Sequence, residues 1–206
     1  MTTLTTQTRQ ALVTIENQTG ESLVSVRVAH KYSDTKLKHN LAWSLAAGQT
    51  GITTFPAQPV QYHIGVATTG RDWWIVLWCD AKGDYYMTTP QNAREILDMG
   101  EKFTHLIAEG LVAVGSGVVL AGPEGISKGA GLAIGATGIL ISSLTNTEST
   151  TGFKQHILRE SDASSPTTIV LQKNTVTFRS PSGTSTTGVS KIDSGQVNAL
   201  LKQLEG

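Results

Sequence analysis

The chain has 206 residues and no formal net charge, and its 16 basic and 16 acidic residues make up only 16% of the whole, against the usual quarter or so. That balance removes any electrostatic ground for nucleic-acid binding, and the length fits one domain, with or without an insertion. A single cysteine, Cys79, excludes an intramolecular disulfide. The polar, Thr-rich residues 1–10 lack the basic-then-apolar pattern of a signal peptide, so a cytoplasmic protein is expected, with unconventional secretion left open.

Residues 1–10 read as a flexible tail and residues 11–206 as one domain. Residues 11–17 and 23–31 both alternate apolar and polar positions, with a turn at Gln18-Thr19-Gly20-Glu21 between them; together they predict a β-hairpin. Residues 32–40 are polar and charged, a loop. Residues 41–45 carry Trp43, and 51–55 make a short strand closed by Pro56 and Pro59. Residues 60–66 alternate again. The stretch Thr-Thr-Gly-Arg-Asp-Trp-Trp-Ile-Val-Leu-Trp-Cys-Asp over 68–80 holds three of the four tryptophans. Ile75 and Val76 are β-branched and tryptophan suits a pleated surface, so this stretch is the expected central strand. Trp73 and Trp74 must then face opposite sides. A turn at 81–84 leads to a returning strand over 85–88. Short strands at this spacing predict a mainly β fold, an antiparallel sandwich or barrel.

The pattern changes near Pro90. Ile96, Met99, Phe103, Leu106 and Ile107 share a helical stripe. Residues 111–123 and 129–147 are uncharged and rich in Gly, Ala, Val, Leu and Ile, which predicts an apolar helical hairpin inserted at about 91–145. Gly131 and Gly135 lie four apart, the spacing that lets helices approach closely. Each apolar half is near or below the length of about 20 residues that spans a bilayer. Packing on the sheet, packing on another copy, and membrane insertion all remain readings of this segment. A fully solvated polar face is unavailable to it, so a homo-oligomer is expected, with Gly115, Val118, Leu120, Gly131, Gly135 and Ile139 at the oligomer or membrane contact. Strands resume over 153–158, 167–171 and 176–179. Residues 180–188 read as a Ser/Thr/Gly loop, and 194–204 as a short C-terminal amphipathic helix.

His30-Lys31-Tyr32-Ser33-Asp34, Trp43, and the block Thr68-Thr69-Gly70-Arg71-Asp72-Trp73-Trp74 with Val76-Leu77-Trp78 resemble the PUD-type family (protein up-regulated in Daf mutants). Residues 153–158 and 176–182 resemble its downstream strands. The resemblance implies an aegerolysin-like β-sandwich and, with it, a non-enzymatic binding module that engages lipid or a membrane surface. It implies no catalytic residues and no cofactor. A soluble self-assembling structural protein without a ligand is the alternative.

Arg71, Asp72, Trp73 and Trp74 are the candidate ligand-binding residues. Arginine offers a planar fork to phosphate or carboxylate, and tryptophan offers a stacking face. The structural alternative is an ion pair that pins the turn at Gly70. Cys79, His63 and Asp80 supply the residue types of a nucleophile, base and orienter, but a thiol inside an apolar strand reads as buried and inert. The five histidines, at 30, 39, 63, 105 and 156, show no metal-site spacing, so no metal is expected.

Overall fold

The computed structural model describes residues 6–32, 39–44, 54–65, 70–89, 153–193 and 195. Ten strands follow in chain order: β1 (Gln7–Gln18), β2 (Leu23–Tyr32), β3 (His39–Ser44), β4 (Gln58–Ile64), β5 (Asp72–Asp80), β6 (Tyr85–Thr89), β7 (Lys154–Gln155), β8 (Thr167–Gln172), β9 (Thr175–Ser180) and β10 (Gly183–Ile192). A 3-10 turn at Glu160–Ala163 precedes β8. The fold is mainly β, and the described residues hold no helix long and apolar enough to cross a membrane.

All ten strands belong to one sheet, in the order β3-β2-β5-β6-β10-β9-β8-β1-β4, with β7 pairing β5 off that path. Its two ends approach each other, since β4 lies against both β3 and β2. Across the seam the Gln58 side-chain amide donates to the Ala42 carbonyl at 2.7 Å. Of the expected sandwich or barrel, the structure shows a single mainly β sheet nearly closed into a barrel, the arrangement that comes close to removing exposed edges. Pro59 sits in β4 opposite Leu12. Beyond β4 lies only the seam, so the missing proline N–H costs no ladder bond there.

Three strand expectations change. First, β1 and β2 are not a hairpin. β1 pairs β4 antiparallel and β8 in parallel, while β2 pairs β3 and β5. The turn after Gln18 sends the two strands to opposite walls, so their apolar faces meet across the interior instead of side by side. Second, the loop expected over 180–188 is largely strand β10, paired to β9 and β6. Its threonines suit a pleated surface, and only the tight turn at Pro181-Ser182 breaks the ladder. Third, of residues 153–158 only Lys154 and Gln155 join the sheet, opposite Trp74 and Trp73. β1 also begins at Gln7, within the stretch expected as a tail. The helical hairpin at 91–145, with Gly115, Val118, Leu120, Gly131, Gly135 and Ile139, lies outside the described residues, as does the helix expected from 194 to 204 apart from Gly195.

Alternation along each strand decides the core. Val13 and Ile15 of β1, Val26 and Val28 of β2, Val60 and Tyr62 of β4, Trp74, Val76 and Trp78 of β5, Ile169 and Leu171 of β8, and Val176 and Phe178 of β9 pack into one buried cluster. Trp74 and Trp78 are its largest members, and Trp74 is fully buried while Trp73 is only partly so. The opposite orientation of the adjacent tryptophans follows from the pleat. β5 is nonetheless dry on both sides: every residue from Trp74 to Asp80 is buried. The sequence shows this as a near-continuous apolar run.

Candidate functional site

The four residues expected to form one ligand site are separated by the pleat. Asp72 points into the barrel and is buried, Arg71 is exposed at the strand's start, and Trp73 and Trp74 lie on opposite faces. The partner of Asp72 is His30, not Arg71: His30 Nε2 lies 2.9 Å from Asp72 Oδ1. With a carboxylate as partner, Nε2 must be the donor. Burial pushes the imidazole pKa down, and the Asp72 contact offsets this only in part. His30 therefore makes its bond as a neutral ring, stacked on Trp74 at a centroid distance of 4.0 Å.

The other oxygen of Asp72 accepts the Leu158 N–H at 2.9 Å, and its carbonyl accepts the His156 N–H at 3.1 Å. Trp74 Nε1 donates to the His156 carbonyl at 2.9 Å. Thus Asp72 and Trp74 together tie the incoming segment 153–158 to the barrel. The segment's own side chains continue the strut. His156 lies between Ser185 Oγ (2.9 Å from Nδ1) and Ser180 Oγ (3.1 Å from Nε2). Fully buried Asp162 accepts the Ser182 N–H at 2.8 Å, the Ser182 hydroxyl at 2.6 Å and the Arg159 N–H at 2.6 Å. Serine, histidine and aspartate are thus close together, yet Asp162 orients Ser182 and not the imidazole. No carboxylate bonds His156, whose pKa burial also lowers, so the arrangement lacks the orienter that a nucleophilic triad needs.

Cys79, Asp80 and His63 do not come together either. Cys79 is buried with its thiol pushed up to about 12, by burial first and the nearby Asp80 second; such a thiol is no nucleophile. His63 sits in β4, which pairs β1 and not β5. Among the described residues no group of three His, Cys, Asp or Glu could hold a metal.

The candidate that remains is a cleft of about 170 Å³ at the opposite end of β5, lined by Thr19, Gly20, Glu21, Leu23, Trp78, Asp80, Tyr86 and Lys173. Two turns build it. The β1–β2 turn is held by Asn17, whose amide donates to the Glu21 carbonyl at 2.8 Å and whose oxygen accepts the Thr19 N–H at 3.1 Å. The β5–β6 turn is held by Asp80, whose Oδ1 accepts the N–H groups of Lys82 (2.9 Å) and Asp84 (3.0 Å). Gly20 and Gly83 take φ of +83° and +86°, a region other residues rarely adopt. The turns are joined by a bond from Ala81 N–H to the Ser22 carbonyl at 2.8 Å and by the Lys82–Glu21 ion pair.

The cleft's chemistry is mixed. Trp78 and Tyr86 stack at 5.6 Å with an interplanar angle of 16°. Among the described residues Asp80 Oδ2 accepts a hydrogen bond only from the Tyr86 hydroxyl, at a long 3.4 Å, so a buried carboxylate retains acceptor capacity. Asp84, beside the cleft, is neutralised by Lys191 at 2.7 Å. Lys173, on the β8–β9 turn, is exposed. Sequence reading missed this site because its parts come from three turns far apart in the chain. The one local signal was the pair of Gly-containing turns flanking acidic residues.

A comparison with curated proteins returns no match. A family model described as Up-Regulated in long-lived daf-2 matches residues 7–189, and the chain belongs to that family.

Proposed function

We propose that the protein is a non-enzymatic binding module of the aegerolysin type that engages a lipid surface, with the cleft between the β1–β2 and β5–β6 turns receiving the headgroup. The cleft is the observation that carries this reading. It combines an aromatic floor, a buried carboxylate with acceptor capacity to spare, and the cationic Lys173 on the facing turn. A headgroup that joins an amine to a phosphate matches both charges and the aromatic face. The buried histidines elsewhere are occupied as struts, which favours binding over catalysis.

The test is co-sedimentation with vesicles of zwitterionic phospholipid, with and without anionic lipid. The protein is expected to pellet with vesicles, and Lys173→Glu to lose most of that binding with an unchanged melting temperature. A protein that stays in the supernatant with every vesicle composition overturns the reading. Self-association through the uncharged stretch carrying Gly131 and Gly135 is the companion proposal. Its test is an oligomer mass measured with and without lipid, and a monomer in both overturns it.

A further inference from the structure

Among the described residues three carboxylates stand at the cleft: Glu21 and Asp80 line it, and Asp84 lies on the turn beside it. Unopposed, they would repel a headgroup phosphate. Two of them are covered. Glu21 of the β1–β2 turn pairs with Lys82 of the β5–β6 turn. Asp84 of the β5–β6 turn pairs at 2.7 Å with Lys191 of β10, which sits opposite Tyr86 in the ladder. Each lysine thus comes from a different element than the carboxylate it meets. Among the described residues Asp80 has no such counterion: turn N–H groups bond its Oδ1, and the Tyr86 hydroxyl its Oδ2. Lys173 lines the cleft and makes no ion pair with a described residue.

We propose that Lys82 and Lys191 determine the specificity of the cleft: by masking Glu21 and Asp84 they set it for a zwitterionic headgroup, one ammonium and one phosphate, against a headgroup that carries the ammonium alone. This rests on the lipid reading of the cleft given above. Stability does not account for the two pairs. All four side chains are at least partly exposed, and ion pairs in water add little. The two turns are already joined by the Ala81 N–H to Ser22 carbonyl bond. What the pairs change is the charge that a ligand meets. With Glu21 and Asp84 masked, one anion and one cation remain, Asp80 and Lys173. The ammonium is placed at Asp80 Oδ2 beside the Trp78–Tyr86 stack, and the phosphate at Lys173 on the facing turn. The bond to the carboxylate raises the pKa of both lysines, so the masks stay charged at neutral pH. An unmasked Glu21 would repel the phosphate and attract a second cation, which is selection by repulsion as much as by attraction.

The experiment is co-sedimentation of the full-length chain at low salt with two kinds of vesicle. One is phosphatidylcholine with phosphatidylethanolamine; the other is the same mixture doped with a long-chain alkylamine, which has no phosphate. Lys82→Gln should bind the zwitterionic vesicles roughly threefold more weakly than the unaltered protein and the doped vesicles more tightly. Glu21→Gln combined with Lys82→Gln removes the mask and the masked charge together, and should recover most of the loss. Lys82→Arg keeps the mask and should bind as the unaltered protein does. The deficit of Lys82→Gln should shrink at high salt, as a charge effect must, with the melting temperature unchanged. Lys191→Gln, with and without Asp84→Asn, repeats the test on the second pair, with a smaller effect because Asp84 lies beside the cleft. Lys82→Gln with unaltered selectivity overturns the proposal and leaves the lipid reading standing. A double variant as weak as Lys82→Gln also overturns it, because the lysine would then contact the phosphate itself. An unaltered protein that binds neither vesicle overturns the lipid reading, and this proposal with it.

Discussion

Two aspartates bracket β5, and both are 2% exposed on the inner side of the same strand. Their surroundings differ. Asp72 is bonded on both oxygens by groups distant in sequence, His30 and the Leu158 N–H, and so closes one end of the barrel. Asp80 is bonded on Oδ1 by its own turn, while Oδ2 faces a cleft with only a long contact to Tyr86. Equal burial thus conceals opposite uses. A carboxylate whose acceptor sites are filled is structure, and one that retains capacity beside an opening is where the proposed headgroup would sit.

The largest expected effect lies at the closed end. Trp74→Ala removes a fully buried ring that is stacked on His30 and bonded to the His156 carbonyl, so it should cost about 3–5 kcal/mol in a urea melt. Trp73→Ala, on the other face and only partly buried, should cost clearly less; equal losses would show that the two faces of β5 are not distinct. Next comes the carboxylate comparison itself. Asp72→Ala strands two neutral donors in the interior, the His30 ring N–H and the Leu158 N–H, and should cost roughly 1–3 kcal/mol for each. Asp80→Ala leaves two turn N–H groups that water can reach and should cost about 1–3 kcal/mol. A larger loss at Asp80 would reverse the assignment of the two ends.

A smaller effect follows from the histidines. Burial holds the pKa of both His30 and His156 below the ordinary value, so near and below pH 6.5 the unfolded chain binds more protons than the folded one. Their contribution is fully present above that pH and is lost as pH falls toward the folded pKa values. The urea midpoint should therefore drop between pH 7.5 and 5, and His156→Asn should flatten the drop. A midpoint indifferent to pH over that range would mean that the rings are not held neutral. The smallest stability effect is expected at the open end: Lys173→Ala should change stability by no more than about 0.5 kcal/mol, so any loss of vesicle binding in that variant reports the cleft alone.

Much of the strand content was legible because alternation is a local signal. β5 and β6 were found with their turn, and the opposite orientation of Trp73 and Trp74 followed from the pleat. Pairing was not legible. Ala11 to Asn17 and Leu23 to Lys31 look like hairpin partners, yet nothing local says that Ile15 will lie beside Ile169. The threonines of β10 sit in a Ser/Thr/Gly-rich stretch whose composition reads as loop, while their β-branching favours the strand they form. At the site, the structural alternative was an ion pair pinning the turn at Gly70, whereas Asp72 bonds His30, 42 residues away, beyond the reach of a motif. The cleft needed three turns to meet, which only the tertiary fold arranges.

The parallel pairing of β1 with β8 has a consequence during synthesis. Val13 through Gln18 leave the ribosome well before Thr167 through Gln172, which complete that side of β1. Until then β4 alone can pair with β1, and its other flank stays an open edge able to recruit strands from neighbouring chains. β5 has a similar wait for β7. Contacts between residues so far apart in sequence also slow folding. The nascent protein therefore carries an unpaired β1 edge until β8 has been made, and its yield in a cell should depend on chaperones that shield it.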